Sequence, residues 1–151
     1  MKNIFFLLAM IFMHISGWPQ TTVQSIGADD IVKLKDGIIV TPAVLPGILR
    51  DGRLESAGTI TLNGASFDLG NITIRAKTIT LPAALTQFSI TGSVKLECET
   101  LVLAGATRTI ICTGEGSLSF IFKTVTNTNN CTIAQNPSVS PKLSVGYARV
   151  N

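Results

Sequence analysis

The sequence is short of the side chains on which much enzyme chemistry depends. Its 151 residues include one histidine, His14. Serine-protease-type triads use a histidine base, and many zinc sites use histidine ligands. Because His14 lies in an N-terminal segment that we expect to be removed, the mature chain would contain no histidine. We therefore expect no catalytic site, no metal and no cofactor.

Charged and aromatic residues are also scarce. Charged residues make up 14% of the chain, the net charge is +3, and there is one Trp and one Tyr. A nucleic-acid-binding surface combines a basic stripe with stacking aromatics, so we expect no nucleic-acid partner. The chain is instead rich in Thr, Ile, Val and Leu, which is typical of β-strands. Its apolar content of 46% is too high for a disordered protein.

Residues 1–20 have the pattern of a secretory signal peptide. Lys2 precedes an apolar run, Ile4–Met13, and residues 16–19 then end it with Ser, Gly, Trp and Pro. A membrane-spanning helix needs roughly 20 apolar residues, whereas a signal-peptide core needs about 7–15. We expect cleavage near residues 17–22, with a secreted, periplasmic or cell-surface product that has no membrane span. An uncleaved N-terminal anchor is the alternative.

A repeat with a period of about 22 residues runs through the chain. Segments that begin at Gly70 and Gly92 read GNITIRAKTITLPAALTQFSIT and GSVKLECETLVLAGATRTIICT, and related segments begin at Gly52 and Gly116. Each opens with glycine and then alternates apolar with polar residues. Successive side chains of a strand point to opposite faces, so equivalent apolar residues would stack from one copy to the next. This regularity favours a coiled parallel sheet over an antiparallel sandwich.

The expected fold class is all-β, a short right-handed parallel β-helix of about 4–5 coils of about 22 residues each. The expected segments are a signal peptide (1–20), an N-terminal cap or degenerate coil (21–46), the repeats (47–137) and a C-terminal tail or capping strand (138–151). Gly114 and Glu115 are interpreted as a small insertion between copies. The predicted inward stacks are Ile72 with Val94 and Leu118, Phe88 with Ile110, and Ile90 with Cys112.

The segment GRLESAGTITLNGASFDLGNITIRAKTITL resembles the repeats of bacterial filamentous-haemagglutinin-type adhesins. The resemblance is carried by a Gly-x-apolar-x-apolar opening and a following Thr-apolar-Thr-apolar strand, in Gly70–Leu81 and Gly92–Leu103. It covers residues 52–113. It implies a right-handed parallel β-helix on a secreted, surface-associated protein that works by adhesion or as a rigid stalk.

The outward positions form a possible exposed binding face. Its residues are Thr73, Arg75, Lys77, Lys95, Glu97 and Glu99. In the predicted stack Arg75 lies over Glu97 and Lys77 over Glu99, and opposite charges on neighbouring strands stabilise their pairing. The main interpretation is a solvated charged face. The alternative is a polysaccharide lyase or hydrolase, because two carboxylates at such a spacing can serve glycoside hydrolysis. Further outward columns are expected from Thr59, Thr73, Thr80 and Thr126.

The three cysteines are Cys98, Cys112 and Cys131. Cys98 and Cys112 fall in inward positions, where a free cysteine behaves as a small apolar residue. A Cys112–Cys131 disulfide is the alternative in an exported protein. The sequons at Asn71 and Asn130 would matter only in a eukaryotic secretory route.

Asp29, Asp30 and Asp36 do not have the spacing of a calcium loop, and Asp36 with Gly37 predicts a turn.

Together these patterns predict an exported, non-enzymatic β-helix that binds a glycan or a cell-surface protein. The second hypothesis is a structural subunit of a fibre or stalk, which would self-associate through terminal rungs near Val32 and Val145. A carbohydrate-active enzyme that depends on Arg75, Glu97 or Glu99 is the third.

Overall fold

The computed structural model describes residues 31–42, 51–136 and 143–150. All regular elements within these ranges are β-strands, and no helix there is long and apolar enough to cross a membrane. The signal peptide predicted at residues 1–20 lies outside the described residues. The strands are β1 (Ile31–Leu34), β2 (Ile38–Val40), β3 (Asp51–Ser56), β4 (Thr59–Leu62), β5 (Ser66–Leu69), β6 (Asn71–Leu81), β7 (Gln87–Ile90), β8 (Ser93–Leu103), β9 (Thr109–Gly114), β10 (Ser117–Thr126), β11 (Thr132–Gln135) and β12 (Ser144–Arg149).

Every pairing between these strands is parallel. One sheet has eight strands and the other has four, in the order β5, β7, β9, β11. The chain therefore winds as a parallel β-helix of about four coils, about 22 residues apart, which confirms the predicted fold class. A hairpin arrangement would have given antiparallel pairs.

Each coil has three faces. The first face contains β1, β3, β12 and the N-terminal halves of β6, β8 and β10. The second face contains β2, β4 and the C-terminal halves of β6, β8 and β10. The four-stranded sheet is the third. In β6 the buried positions are Ile72, Ile74 and Ala76, followed by Ile79 and Leu81. The alternation thus changes phase once between Ala76 and Ile79, where the strand passes from the first face to the second.

The inward side chains stack in vertical columns. Ile72 pairs with Val94 and Val94 with Leu118, as predicted, and Val94 and Leu118 have no exposed surface. On the third face the rings of Phe67 and Phe88 follow each other with centroids 6.4 Å apart. Complete burial of such a side chain stabilises the fold by roughly 1.5–3 kcal/mol. The columns therefore provide the main stabilising force of the helix.

Glycine opens the repeats at Gly92 and Gly116 because successive coils approach closely at this corner, whereas Gly52 pairs with Ile72 and is not equivalent to Gly70. A Cβ atom on Gly116 would lie 2.0 Å from the carbonyl oxygen of Gly92, and one on Gly92 would lie 2.8 Å from the carbonyl carbon of Gly70. No side chain fits at these distances. The repeated glycine thus marks a place where backbone packs directly on backbone.

The register of the third face differs from the prediction. Phe88 pairs with Cys112 and Ile90 with Gly114, whereas Ile110 and Cys112 were the expected partners. The preceding column, Leu81 with Leu103, keeps the 22-residue offset. The two additional residues therefore enter at the corner before β9, and the predicted insertion at Gly114 and Glu115 is wrong.

Arg108 occupies this enlarged corner and binds the backbone of two coils. Its Nε donates to the carbonyl of Leu85 at 3.0 Å, and Nη1 donates to Ala104 at 2.6 Å. Nη2 donates to Leu81 at 3.0 Å and to Pro82 at 2.6 Å. The planar guanidinium thus adds donors to the carbonyls of Leu81 and Pro82, which already accept backbone N–H groups from Ala104 and Leu85, and joins them to the next coil.

The two ends of the described stack differ. At the start, the inward residues Val32, Leu34 and Val40 are no more than 8% exposed. At the other end β12 covers only the first face, where Tyr147 stacks on Phe120 with ring centroids 5.4 Å apart. Val125, which continues the inward column of the second face, is 50% exposed. The inward residues are therefore buried at the start of the described stack and partly exposed at its other end.

Candidate functional site

An alternating column of charge runs up the outer side of the first face. The register aligns Lys33 with Glu55, Glu55 with Arg75, and Arg75 with Glu97. Arg75 Nε lies 3.1 Å from Glu97 Oε2, which confirms the predicted placement of this pair. A second ion pair joins Arg53 Nε to Glu55 Oε1 at 2.8 Å within β3. The column neutralises itself, and each exposed pair is worth about 0–1 kcal/mol.

A groove follows the corner between the first and second faces. We call it the corner groove, and its volume is about 440 Å³. It brings together four residues of the predicted binding face: Arg75, Lys77, Glu97 and Glu99. The other two, Thr73 and Lys95, oppose each other further along the first face.

The carboxylates of the corner groove lie beside cations. Glu97 is in an ion pair with Arg75, and Lys77 and Lys123 line the same groove as Glu99. A glycosidase places two carboxylates on opposite sides of a sugar ring. Here both glutamates belong to one strand, β8, and lie two residues apart. This arrangement is that of a charged surface in which at least one carboxylate is paired with a cation.

The outer side of the second face is a regular array of threonines. One column contains Thr59, Thr78, Thr100 and Thr124, in register. The adjacent column contains Thr61, Thr80, Val102 and Thr126. We call these eight positions the threonine face. Neither column contains a charged residue.

The threonine face differs in part from the predicted outward columns. Thr80 and Thr126 share one column, as expected, and Thr59 belongs to the column beside it. Thr73 instead lies on the first face, between Arg53 and Lys95. The phase change at the corner separates Thr73 from the others.

Hydrogen bonds order the open end of the threonine face. Thr100 Oγ1 and Thr124 Oγ1 are 3.0 Å apart, and Thr124 Oγ1 also contacts the carbonyl oxygen of Glu99 at 3.3 Å. Behind the array, the inward residues Ile60, Ile79 and Leu101 are at most 2% exposed. A packed core therefore supports the face from within.

The three cysteines are free thiols. Cys112 is completely buried and pairs in register with Gln135, whereas Cys131 comes four residues earlier, just before β11. A disulfide needs Cα atoms about 4.4–6.8 Å apart, and this register does not set the two cysteines side by side. The disulfide, which was the alternative interpretation, stays a prediction, and the register agrees better with the main interpretation of apolar core thiols.

Alkaline pH is expected to destabilise the protein through these thiols. Burial raises the pKa of Cys98 and of Cys112 from 9.0 to about 11. The folded state therefore keeps protons that the unfolded chain releases, so stability is complete below about pH 9 and falls as the pH rises toward about 11. Thermal unfolding midpoints measured across this range should decline. The double variant Cys98→Ala, Cys112→Ala should show a shallower decline, and an unchanged slope would contradict this origin.

The residues considered for calcium and glycosylation have local backbone roles where the structure describes them. Asp36 Oδ1 accepts a hydrogen bond from the Thr59 N–H at 2.6 Å, and Asn71 Oδ1 accepts one from the Ser93 N–H at 3.0 Å. Asp29 and Asp30 lie outside the described residues. Within the described ranges, no group of three or more His, Cys, Asp and Glu side chains could hold a metal ion.

Comparisons with protein families, with curated proteins and with solved structures find no match to this chain.

Proposed function

We propose that the chain is an exported, non-enzymatic β-helix that binds an extended surface through the threonine face. The observation that carries this proposal is the alignment of seven threonines and one valine in two adjacent columns on four successive coils. Such an array offers many equivalent weak contacts, which suits a ligand that is itself repetitive. A glycan or a cell-surface protein would fit, as the resemblance to adhesin repeats suggests.

The charge distribution supports the second face over the first as the binding surface. On the first face, Arg75 and Glu97 already satisfy each other. A ligand there would have to displace an existing ion pair before it gained a contact. The second face has exposed threonines at Thr124 and Thr126 and no charged residue within its two columns, so a ligand there meets no ion pair.

A fibre subunit is the second candidate, and Val125 is the observation that favours it. Its side chain is half-exposed, and no described strand pairs with the edge of β10 beyond Phe122, so this edge could accept another strand. Head-to-tail growth also needs an open first rung, but Val32 and Val40 are already buried. We therefore rank surface binding above assembly, and both above carbohydrate turnover.

Bulky residues in the centre of the threonine face are expected to abolish binding. In Thr78→Tyr, Thr80→Tyr the two rings would project from the middle rungs and hold a flat ligand away from its neighbours. Binding to insoluble chitin, cellulose, peptidoglycan and fixed cells, measured by co-sedimentation, should fall by about tenfold or more, since about 1.4 kcal/mol of lost contact suffices.

The matched controls are Thr73→Tyr on the first face and Arg75→Ala in the corner groove. Both should bind as the unmodified chain does, and thermal unfolding should verify that every variant is folded. Loss of binding in Arg75→Ala alone would assign the ligand to the corner groove instead. Release of soluble sugars from any polysaccharide would overturn the non-enzymatic assignment.

A further inference from the structure

We infer that the surface bound by the threonine face is an ordered water lattice, the face of an ice crystal. This inference rests on the proposed function and names its ligand. It starts from the two-dimensional spacing of the array. Neighbouring coils set equivalent threonines about 4.8 Å apart, and alternate residues along one strand lie about 6.6 Å apart. The two repeats lie at right angles. The shorter one is close to the oxygen spacing of hexagonal ice along its a axis, and the longer one is somewhat shorter than the repeat along its c axis.

The side-chain chemistry of the array fits water better than it fits sugar. Each threonine presents one hydroxyl and one methyl group, so it can join a hydrogen-bonded lattice and also occupy the space between its molecules. Val102 keeps the methyl groups without the hydroxyl. The two columns contain no aromatic ring on which a pyranose could stack.

The absence of charge from the two columns points the same way. An ionised side chain holds its own hydration shell and counterions, and this shell would disturb a neutral crystal face. The charged residues Lys77, Glu99 and Lys123 instead lie along the corner groove, beside the array and not within it. An uncharged, regular face is therefore complementary to an uncharged, regular ligand.

The array is also rigid before it meets a ligand. Parallel pairing fixes the height of every rung, and the buried column of Ile60, Ile79 and Leu101 fixes the depth of the strands. Threonine is β-branched, so its χ1 angle is restricted. Little conformational entropy remains to be lost on binding, and many weak contacts can therefore add up.

The test is whether the purified chain adsorbs to ice. The freezing point of a single ice crystal should fall below its melting point, and this difference is the thermal hysteresis. Growing crystals should become faceted. The protein should also be incorporated into slowly growing polycrystalline ice. Thr80→Tyr should reduce the hysteresis by about tenfold, because its ring would hold the ice surface away from the threonines of the adjacent rungs. Thr80→Val, which keeps the side-chain volume, should retain a folded chain and lose part of the effect. Thr73→Tyr should behave as the unmodified chain does.

Exclusion of the unmodified protein from ice, with no hysteresis, would overturn the inference, as would hysteresis that Thr80→Tyr leaves intact. These outcomes remain separate from the proposed function. If the chain ignores ice but binds an insoluble polysaccharide in a manner that Thr78→Tyr, Thr80→Tyr abolishes, surface binding stands and the ligand is a glycan. If it binds neither ice, polysaccharide nor cells, both proposals fail.

Discussion

Replacing Arg108 with alanine is expected to lower the free energy of unfolding by about 3 kcal/mol, because hydrogen bonds from a charged donor contribute about 1.5–3 kcal/mol each before partial exposure reduces them. The variant removes the guanidinium donors from the corner before β9 and leaves the backbone donors of Leu85 and Ala104 in place. The carbonyls left without this donor belong to Leu81, Pro82, Leu85 and Ala104. Since they belong to two successive coils, the loss should loosen the contact between those coils. Urea unfolding followed by circular dichroism would measure the change.

Two further variants, Arg108→Lys and Arg75→Ala, separate the role of the guanidinium hydrogen bonds from the role of the positive charge. Arg108→Lys keeps the charge but has three donors on a single nitrogen, so we expect it to recover less than half of the loss. Arg75→Ala removes an exposed arginine with one ion-pair partner, and should cost about 0–1 kcal/mol. Equal losses for Arg108→Ala and Arg75→Ala would show that the hydrogen-bonded corner has no special importance.

Replacing Leu96 with alanine is expected to cost about 3 kcal/mol, within the usual range of about 2–5 for a buried leucine. Leu96 has no exposed surface and lies between Ile74 and Phe120 in one inward column. Its neighbours above and below are held in place by the β-ladder and cannot close the cavity. The measurement is again urea unfolding, with the midpoint and slope compared with those of the unmodified chain.

Lys95→Ala is the matched control, because Lys95 is the adjacent residue on the same strand and points outward. Its replacement should change the unfolding free energy by no more than about 0.5 kcal/mol. A comparable loss for both variants would contradict the assignment of alternating faces. A larger loss for Lys95→Ala would reverse that assignment for the whole of β8.

The sequence predicted the first face well because its pattern there is simple. Glycines 22 positions apart and strict alternation were enough to align Ile72 with Val94 and Arg75 with Glu97. Both pairs lie before the corner at which two residues are added, so the 22-residue period still relates their positions. The inward column and the charge pair depend only on that period.

The third face could not be predicted in the same way. Between Leu103 and Cys112 the chain has two more residues than between Leu81 and Phe88. The apolar alternation of β9 is equally compatible with either register, since a shift of two residues keeps the same side chains inward.

The complete threonine face was not predicted from the repeat, for a related reason. Its first column joins residues 59, 78, 100 and 124, which are separated by unequal intervals. The triplets TIT, TIT, TLV and TVT are visible in the sequence, but no single period superposes them. A search for the triplet itself, without a fixed spacing, would have found the array.

The corner before β9 also shows that the loops between strands can vary in length without loss of strand pairing. Two additional residues are accommodated there while the Leu81–Leu103 rung on one side and the Phe88–Cys112 rung on the other both remain paired. Loops of other lengths, or a grafted peptide, could be inserted at that bend and displayed at a fixed height along the rod. Duplication of whole coils would lengthen the rod itself, so display and reach could evolve independently of each other.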